Sequence, residues 1–567
     1  MIMPRLPSSL AGVLSSALLP WLVPMVAIAS VWIYGVDVPV GDQWSIADFF
    51  QRHAAGMLRA ADWFEQSNDS RPFFPRLVFF GLTRVGAWHP VAEMLVSQVL
   101  LLASAIGIAT LWRRTQVDDR DADTGALLTA FLALYSLAQM ENLYWGVQIV
   151  VYAPFVCLIG ALVLAHSRRS WFVVLAGSAA CCIVATYSYA NGVLCWLLVP
   201  VALLCARGRG SRQVLWLWLA WAAVAIVTIL LYFTNYIGGT QSVRGGSRTA
   251  FDAALAYLAY IGAGLSFGPD RFWVAVTCGA TVLLALAAVI AYVVRHQMMQ
   301  RASPWLILAA YTLISGVAIV DGRLGAGREY MLASRYVTFS APVLVALVFL
   351  VSQCLADFAA RQVVNGERAS VDHLRTIVIC VIAILSVVAS VESLAPIRET
   401  ATQRRQAKAV LQYVAVAPAS LLEQQFYFMA PFVQPRGLDL QRAGYLPSPR
   451  DTTWVTTSTA GCIDGRRQQD DGTWMTSGWT LLPERNRPAD AVLVTRGAKP
   501  EDGLVAIVVP TDRRPDLAYA RRSSAIPLAG WRVQLDDPTA RADLRFWAID
   551  ATARRAYRLC NAIAPLR

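Results

Sequence analysis

Apolar runs long enough to cross a bilayer, each needing about 20 residues, recur along the first two thirds of the chain and are parted by short polar breaks. They lie near 10–34, 91–112, 125–142, 147–166, 171–189, 191–206, 214–236, 272–294, 304–320, 335–357 and 375–396. The fifth and sixth are short and joined only by YSYANG at 187–192. Past residue 396 the pattern changes. ETATQRRQAKAVLQYV (399–414) reads as a helix, and from Asp451 short alternating runs such as AVLVTRG, GLVAIVVP, WRVQLDD and LRFWAID sit between Pro, Gly and Asp turns. Alternation at that spacing predicts strands, and several of them a small β-sandwich. The expected fold is mainly α: a polytopic membrane protein of about eleven transmembrane helices (1–396), with a long outer loop at 35–90. A helical linker (397–450) and a β-sandwich domain (451–567) follow, both outside the membrane.

Composition agrees with a bilayer, since 56% of the 567 residues are hydrophobic and 15% charged, more apolar surface than one soluble core can hide. The net charge of +12 does not call for a nucleic-acid partner. Much of it lies in clusters flanking the apolar runs: WRRT (112–115), HSRRS (166–170), RGRGSR (207–212), RHQMMQR (295–301) and the loop from Arg361 to Arg375. These fall on alternate connections, which makes those loops and the N-terminus cytoplasmic; an odd number of spans then puts the tail on the far side. MIMPRLPSS and the run after it carry one arginine and no convincing small-residue cleavage site, so an uncleaved first span is expected rather than a signal peptide. Eight of the ten cysteines lie in or beside apolar spans, where a small buried hydrophobe is the plain reading. Cys462 and Cys560 lie near the two ends of the β-region, and in an oxidising compartment a disulfide can pin them.

The far face spends polar residues that spanning does not require. VDDRDAD (117–123), on the cytoplasmic side, imitates an acidic metal motif but reads as a solvated loop. Outside, arginines run against the positive-inside tendency: Arg71 and Arg76 in QSNDSRPFFPRLVFF (66–80), Arg244 and Arg248 in QSVRGGSR, and Arg323, Arg328 and Arg335 in DGRLGAGREYMLASRY (321–336). Guanidinium forks suit bidentate phosphate binding; pairing with local acids or lipid headgroups is the ordinary alternative. GVDVPVGDQW (35–44) sets Asp37 and Asp42 just beyond the first span, where a carboxylate can serve as a general base. MENLYWGVQ (140–148) brings Glu141, Asn142 and Gln148 together with Tyr144 and Trp145, a mix that suits a sugar or an interfacial aromatic belt. Asn68, Asp69 and Arg71 read as a polar lip, with Tyr336 a further candidate beside Arg335. An incidental Arg71–Asp69 pair is the plain alternative.

GDQW (41–44), NDSRPFFPRL (68–77), ENLYWGVQ (141–148), YANG (189–192) and SRYVTFS (334–340), in this layout of spans, resemble the GT-C class of integral-membrane glycosyltransferases. More narrowly, they resemble a bacterial group that modifies O-antigen, pilin or other envelope glycans. The segment 461–494, marked by Gly478-Trp479, resembles a β-sandwich module appended to such proteins. The resemblance implies a polyprenyl-phosphate sugar donor, a glycan or glycoprotein acceptor, and action on the periplasmic face of the bacterial inner membrane. It makes Asp42 the base, with Asp37 its rival. Where the class often has two adjacent acids this chain has Gly41-Asp42, so neither a metal nor another cofactor is expected; where the narrower group often has a histidine, Ser70 stands. Arg335 and Arg323 lead for the donor phosphate, ahead of Arg328, Arg71, Arg244 and Arg248, and a one-step displacement would invert the anomeric centre. Asn68, Asp69, Glu141, Asn142, Trp145, Gln148 and Tyr336 would face sugar or acceptor. A flippase for lipid-linked sugars, or a non-catalytic glycan-binding assembly protein, would share much of this layout. The nearly charge-free centres of the spans favour surface chemistry over transport.

Overall fold

The structure, a computed structural model, describes residues 18–116, 124–208, 210, 212, 214–238, 249–266, 270–361, 368–457, 460–485, 487–497, 503–520, 528–536 and 543–561. The chain divides into two compact units. One comprises Met1–Gly35, Ala60–Phe79 and Val91–Ile397; the other comprises Val36–Arg59, Phe80–Pro90 and Arg398–Arg567. The segment 35–90 is therefore shared between them.

Eight helices among the described residues are long and apolar enough to cross a membrane, with shorter apolar helices at Leu19–Tyr34, Phe73–Thr83, Trp171–Thr186 and Ala250–Leu265; most of them belong to the first unit. Ser334–Arg361 is the inner helix, buried through most of Tyr336 to Cys354. It packs on Thr124–Leu134, Met299–Arg323 and Arg368–Glu392. Trp112, Trp305 and Phe349 interlock there, the last two rings 4.3 Å apart. Val214–Phe233 is the opposite case: Trp216, Leu219, Val227 and Leu230 are exposed, as expected of side chains that lipid rather than protein covers.

Two elements depart from the apolar pattern. The third run, expected over 125–142, breaks after Thr124–Leu134; Ser136 then accepts from the Ala138 amide and starts a 3₁₀ turn, which a single α-helical turn, Met140–Leu143, follows. Polar Gln139, Glu141 and Asn142 thus stand on short turns instead of inside a span. Ala250–Gly262 falls in what reads as an outer loop, yet it is an apolar helix packed on Phe272–Arg295. At 13 residues it is too short for the length criterion that identifies spans.

In the second unit, the amphipathic helix Trp44–Ala54 buries Trp44, Ala47 and Phe50. Trp44 meets Phe426 edge-on at 5.6 Å, and Phe50 stacks on Tyr445 at 5.0 Å. Gln51 and His53 add hydrogen bonds to Asp439 (3.0 Å) and Tyr445 (2.9 Å). Helices Ala419–Phe426 and Ala430–Arg442 supply this seat. The tail forms ten strands among the described residues: β1 (Thr453–Val455), β2 (Gly461–Gln468), β3 (Trp474–Thr480), β4 (Ala491–Arg496), β5 (Leu504–Val508), β6 (Asp512–Arg513), β7 (Leu528–Leu535), β8 (Leu544–Asp550), β9 (Arg555–Arg558) and β10 (Cys560–Asn561). They lie in two sheets of order β1-β9-β8-β4-β5 and β10-β2-β3-β7-β6, whose apolar faces share Ile463, Val492, Trp531, Phe546 and Tyr557. Gly478 lies against Trp531; a Cβ there would fall 2.4 Å from the Cys462 carbonyl and 2.6 Å from the indole. Cys462 and Cys560, in register between β2 and β10, form a disulfide. Arg487 chelates buried Asp490 and reaches Asp550, and Arg405 of Leu394–Gln412 lies 3.6 Å from Asp490.

Candidate functional site

Four of the sequence stretches singled out above meet within the first unit. Ser334 and Arg335, at the start of Ser334–Arg361, converge on Glu141. One Glu141 carboxylate oxygen accepts from the Ser334 hydroxyl (2.8 Å) and the Arg335 amide (3.0 Å), and the other from the Arg335 guanidinium (3.2 Å). A helix N-terminus leaves amides without intrahelical acceptors, so Glu141 answers one of those amides, from Arg335, as well as the guanidinium. Asn142, fully buried, donates through Nδ2 to the Arg335 carbonyl (2.8 Å) and Thr338 (2.6 Å). Thr338 donates to Gln139. The Arg335 guanidinium also donates to the Tyr330 hydroxyl and lies over the Tyr330 and Tyr336 rings at 5.1 and 5.5 Å. Arg323, ending Met299–Arg323, acts electrostatically on Tyr336. About 30% of the Arg335 side chain and 33% of the Glu141 side chain stay exposed, so the pair is open to a ligand.

The other two stretches continue from this cluster. Phe339 stacks on Tyr189 at 5.8 Å. Ala190 donates its amide to the Ser70 hydroxyl (3.1 Å), Asn191 bonds Ser315 (3.0 Å), and the Phe74 amide reaches the Tyr187 carbonyl. Ser70 thus occupies a backbone-facing position. Contact follows contact from 68–77 through 187–192 and 334–340 to 141–148, joining segments up to 194 residues apart.

Arg71, expected at a phosphate, commits three of its five guanidinium N–H groups to backbone. Its guanidinium donates to the carbonyls of Phe64 (2.8 Å), Tyr232 (2.8 Å) and Thr234 (2.6 Å), stapling the 60–66 turn to the C-terminal end of Val214–Phe233. A cation suits those acceptors, because the last carbonyls of a helix lack intrahelical donors. Arg76 similarly holds the carbonyls of Trp63 and Glu65. The plain expectation of an Arg71–Asp69 pair gives way to these backbone bonds. Asp69 instead offers its carbonyl to the hydroxyls of Tyr232 and Tyr236, and exposed Asn68 adopts a left-handed φ of 51°.

Arg328 pairs with Glu329 (3.1 Å) and Asp252 (3.7 Å) and lies over Phe272. Hydrogen bonds from its own backbone and from Arg328 hold the Glu329 carboxyl below its usual range. Trp145 is half-buried and Gln148 buried. Arg244 and Arg248 lie outside the described residues.

Asp37 and Asp42 belong to the second unit. Asp42 is exposed on the 3₁₀ turn Gly41–Gln43, entered through Gly41 at φ 52° and followed by the docked Trp44 helix. Asp37 is half-buried, 3.8 Å from His89, with Lys408 also exerting charge on it. Sequence reading missed His89 and Lys408, as it missed Gln139, Tyr330, Ser334 and Thr338. Only chain folding brings His89, Lys408 and Ser334 to an acid, Tyr330 to Arg335, and Gln139 and Thr338 to each other beside Asn142, although Tyr330, Ser334 and Thr338 lay within stretches already marked.

No family model matches the chain, and no curated protein matches it. Among solved structures, the crystal structure of ArnT from Cupriavidus metallidurans bound to undecaprenyl phosphate is similar at 12% identity and a TM-score of 0.43, covering 78% of this chain and 90% of that one. A likeness of that depth carries no argument about chemistry. On its own helices and sheets, the chain is a multi-pass, mainly α-helical membrane protein with a C-terminal two-sheet domain.

Proposed function

We propose that this chain is an integral-membrane glycosyltransferase of the GT-C kind. It moves a sugar from a polyprenyl-phosphate donor to an envelope glycan, lipid-linked glycan or protein acceptor on the outer face of the bacterial inner membrane. The observation that carries the reading is the Glu141–Arg335 cluster, where a third-exposed guanidinium, two tyrosine rings and a carboxylate meet at the ends of apolar helices. Such a site sets cation, aromatic face and hydrogen-bonding groups beside lipid, which matches a ligand with a phosphate, a sugar and an isoprenoid chain.

In this reading Glu141 and Tyr330 orient the Arg335 fork by taking some of its N–H groups, and the remaining donors meet the donor phosphate with Arg323. Asp42 takes the proton of the acceptor hydroxyl as that oxygen bonds to the anomeric carbon. The bond from that carbon to the phosphate oxygen breaks, polyprenyl phosphate leaves with the electron pair, and the anomeric centre inverts. Positive charge at Arg335 stabilises the phosphate as negative charge builds on it.

The test uses the full chain in lipid discs with polyprenyl-phosphate sugars and an acceptor glycan, reading release of polyprenyl phosphate. Asp42→Asn is expected to cut release about 100-fold or more, as loss of a general base does. Asp37→Asn distinguishes the rival carboxylate. No acceptor-dependent release by the wild type, or full release by both variants when normally folded, would reject the assignment.

A further inference from the structure

At the end of the helices away from Glu141 and Arg335 lies a polar cavity of about 510 Å³. Met299–Arg323 joins the two ends: Gln300 and Arg301 line the cavity at its start, and Arg323 stands at its finish. Pro90–Thr115, Gly146–Ala165 and Ala190–Arg207 all end there, contributing Arg114, His166 and Arg207, and the connection after Ala165 adds Arg168. The volume falls in the roughly 300–1,000 Å³ range of small-ligand pockets.

Among the described residues the lining contains four arginines and no carboxylate. Arg114 and Arg207 spend part of their donors on backbone carbonyls, Val163 in the last turn of a helix at 2.7 Å and Arg169 in the connection after it at 2.6 Å. Nη1 of Arg207 is buried with no hydrogen-bond partner, while its guanidinium lies 4.7 Å over Trp171. Arg168 and Arg301 form no ion pair among the described residues. His166 adds no charge at neutral pH: burial, with Arg114 adding to it, lowers its pKa, and its Nε2 bonds Ser303 at 3.1 Å. Four guanidinium groups around one cavity repel one another, and at distances within the roughly 8 Å Debye length salt screens that only partly. An anion relieves the repulsion and supplies the acceptors that planar N–H forks lack.

We propose that this cavity binds a phosphate-bearing anion, with Arg168, Arg207 and Arg301 as its principal ligands. Two sources share that chemistry: the headgroup of an anionic phospholipid entering between the helix ends, and a free phosphate. A basic pocket between helix ends at a charged membrane surface fits the first, and the four guanidinium groups lining one cavity fit the second. The proposal stands apart from the glycosyltransferase reading, because it concerns the opposite ends of the helices.

The test is thermal melting of the full chain in phosphatidylcholine discs, repeated with added phosphatidylglycerol and separately with inorganic phosphate. A rise with phosphatidylglycerol alone identifies a lipid headgroup; a rise with inorganic phosphate identifies a soluble phosphate group. R168Q/R301Q is expected to weaken the effective ligand concentration for that rise about tenfold or more, while R113Q/R169Q, whose side chains lie outside the lining, keeps it. Native mass spectrometry of the unaltered protein gives an independent readout, with phosphatidylglycerol retained in preference to phosphatidylcholine if the lipid is the ligand. No rise with either anion, an equal loss in both double variants, or a drop in R168Q/R301Q melting that is the same with and without anion would overturn the proposal.

Discussion

Arg71 shows how a residue's chemistry can be readable while its partner is not. An arginine between Asp69 and two prolines suggests a surface cation, yet three of its N–H groups bond backbone carbonyls, two of them more than 160 residues away. Arg71→Lys can serve at most part of that set, since an ammonium is not a planar fork. We expect a loss of about 1–3 kcal/mol in stability from stranded carbonyls, read as a lower melting temperature in lipid discs, with transfer per folded molecule retained. Transfer lost with melting unchanged would return Arg71 to the ligand. Glu141 and Arg335 should behave as a coupled pair. In a double-mutant cycle of Glu141→Gln and Arg335→Gln, a coupling of about 1 kcal/mol is expected, discounted because both side chains are a third exposed. Transfer should fall far more for Arg335→Gln than for Glu141→Gln if Glu141 only positions the guanidinium.

Among elements, the helix Ala250–Gly262 holds its place by a backbone-to-backbone approach that only small residues allow. A Cβ on Gly262 would lie 2.0 Å from the Ala275 carbonyl oxygen, and one on Gly279 1.9 Å from that of Leu258. Close approach of small residues is a principal source of helix association in lipid, where burial of apolar surface gives little drive. Gly279→Ala should therefore prise Ala250–Gly262 from Phe272–Arg295 and cost about 1–3 kcal/mol, with a matching fall in melting temperature. An unchanged melting temperature would show that the pair relaxes freely. The spans at 91–112, 272–294 and 335–357 were legible because period and length suffice for a long apolar helix; compare Pro90–Thr115, Phe272–Arg295 and Ser334–Arg361. Ala250–Gly262 was not, because its evidence lies on its partner helix.

For the molecule as a whole, the Cys462–Cys560 bond closes a loop of 98 residues around nearly all of the two-sheet domain. A crosslink of that span restricts the unfolded chain by roughly 4 kcal/mol. Cys462→Ser with Cys560→Ser, or reduction, is expected to lower the denaturant midpoint of the sheet domain markedly while the helical signal of the membrane unit persists to higher denaturant. Coincident loss of both signals, unchanged by reduction, would contradict this.

The sequence by itself determined the apolar spans, the change of regime after residue 396 and the alternating strands of the tail, because each follows from the periodicity of a local stretch. It also marked Glu141, Asn142, Arg335 and Tyr336 as polar and aromatic expenditure without a local use. Only the tertiary structure decided that Glu141 answers the Arg335 amide and guanidinium, that Ser70 faces the Ala190 amide, and that Arg71 staples backbone. Apart from Phe64, each partner is separated by more than 100 residues of chain, and hydrophobic periodicity says which face of a helix is covered but not by which neighbour. The hydrogen bonds that choose the neighbour form only when helix ends are brought together, so the role of a charged residue there belongs to the packing.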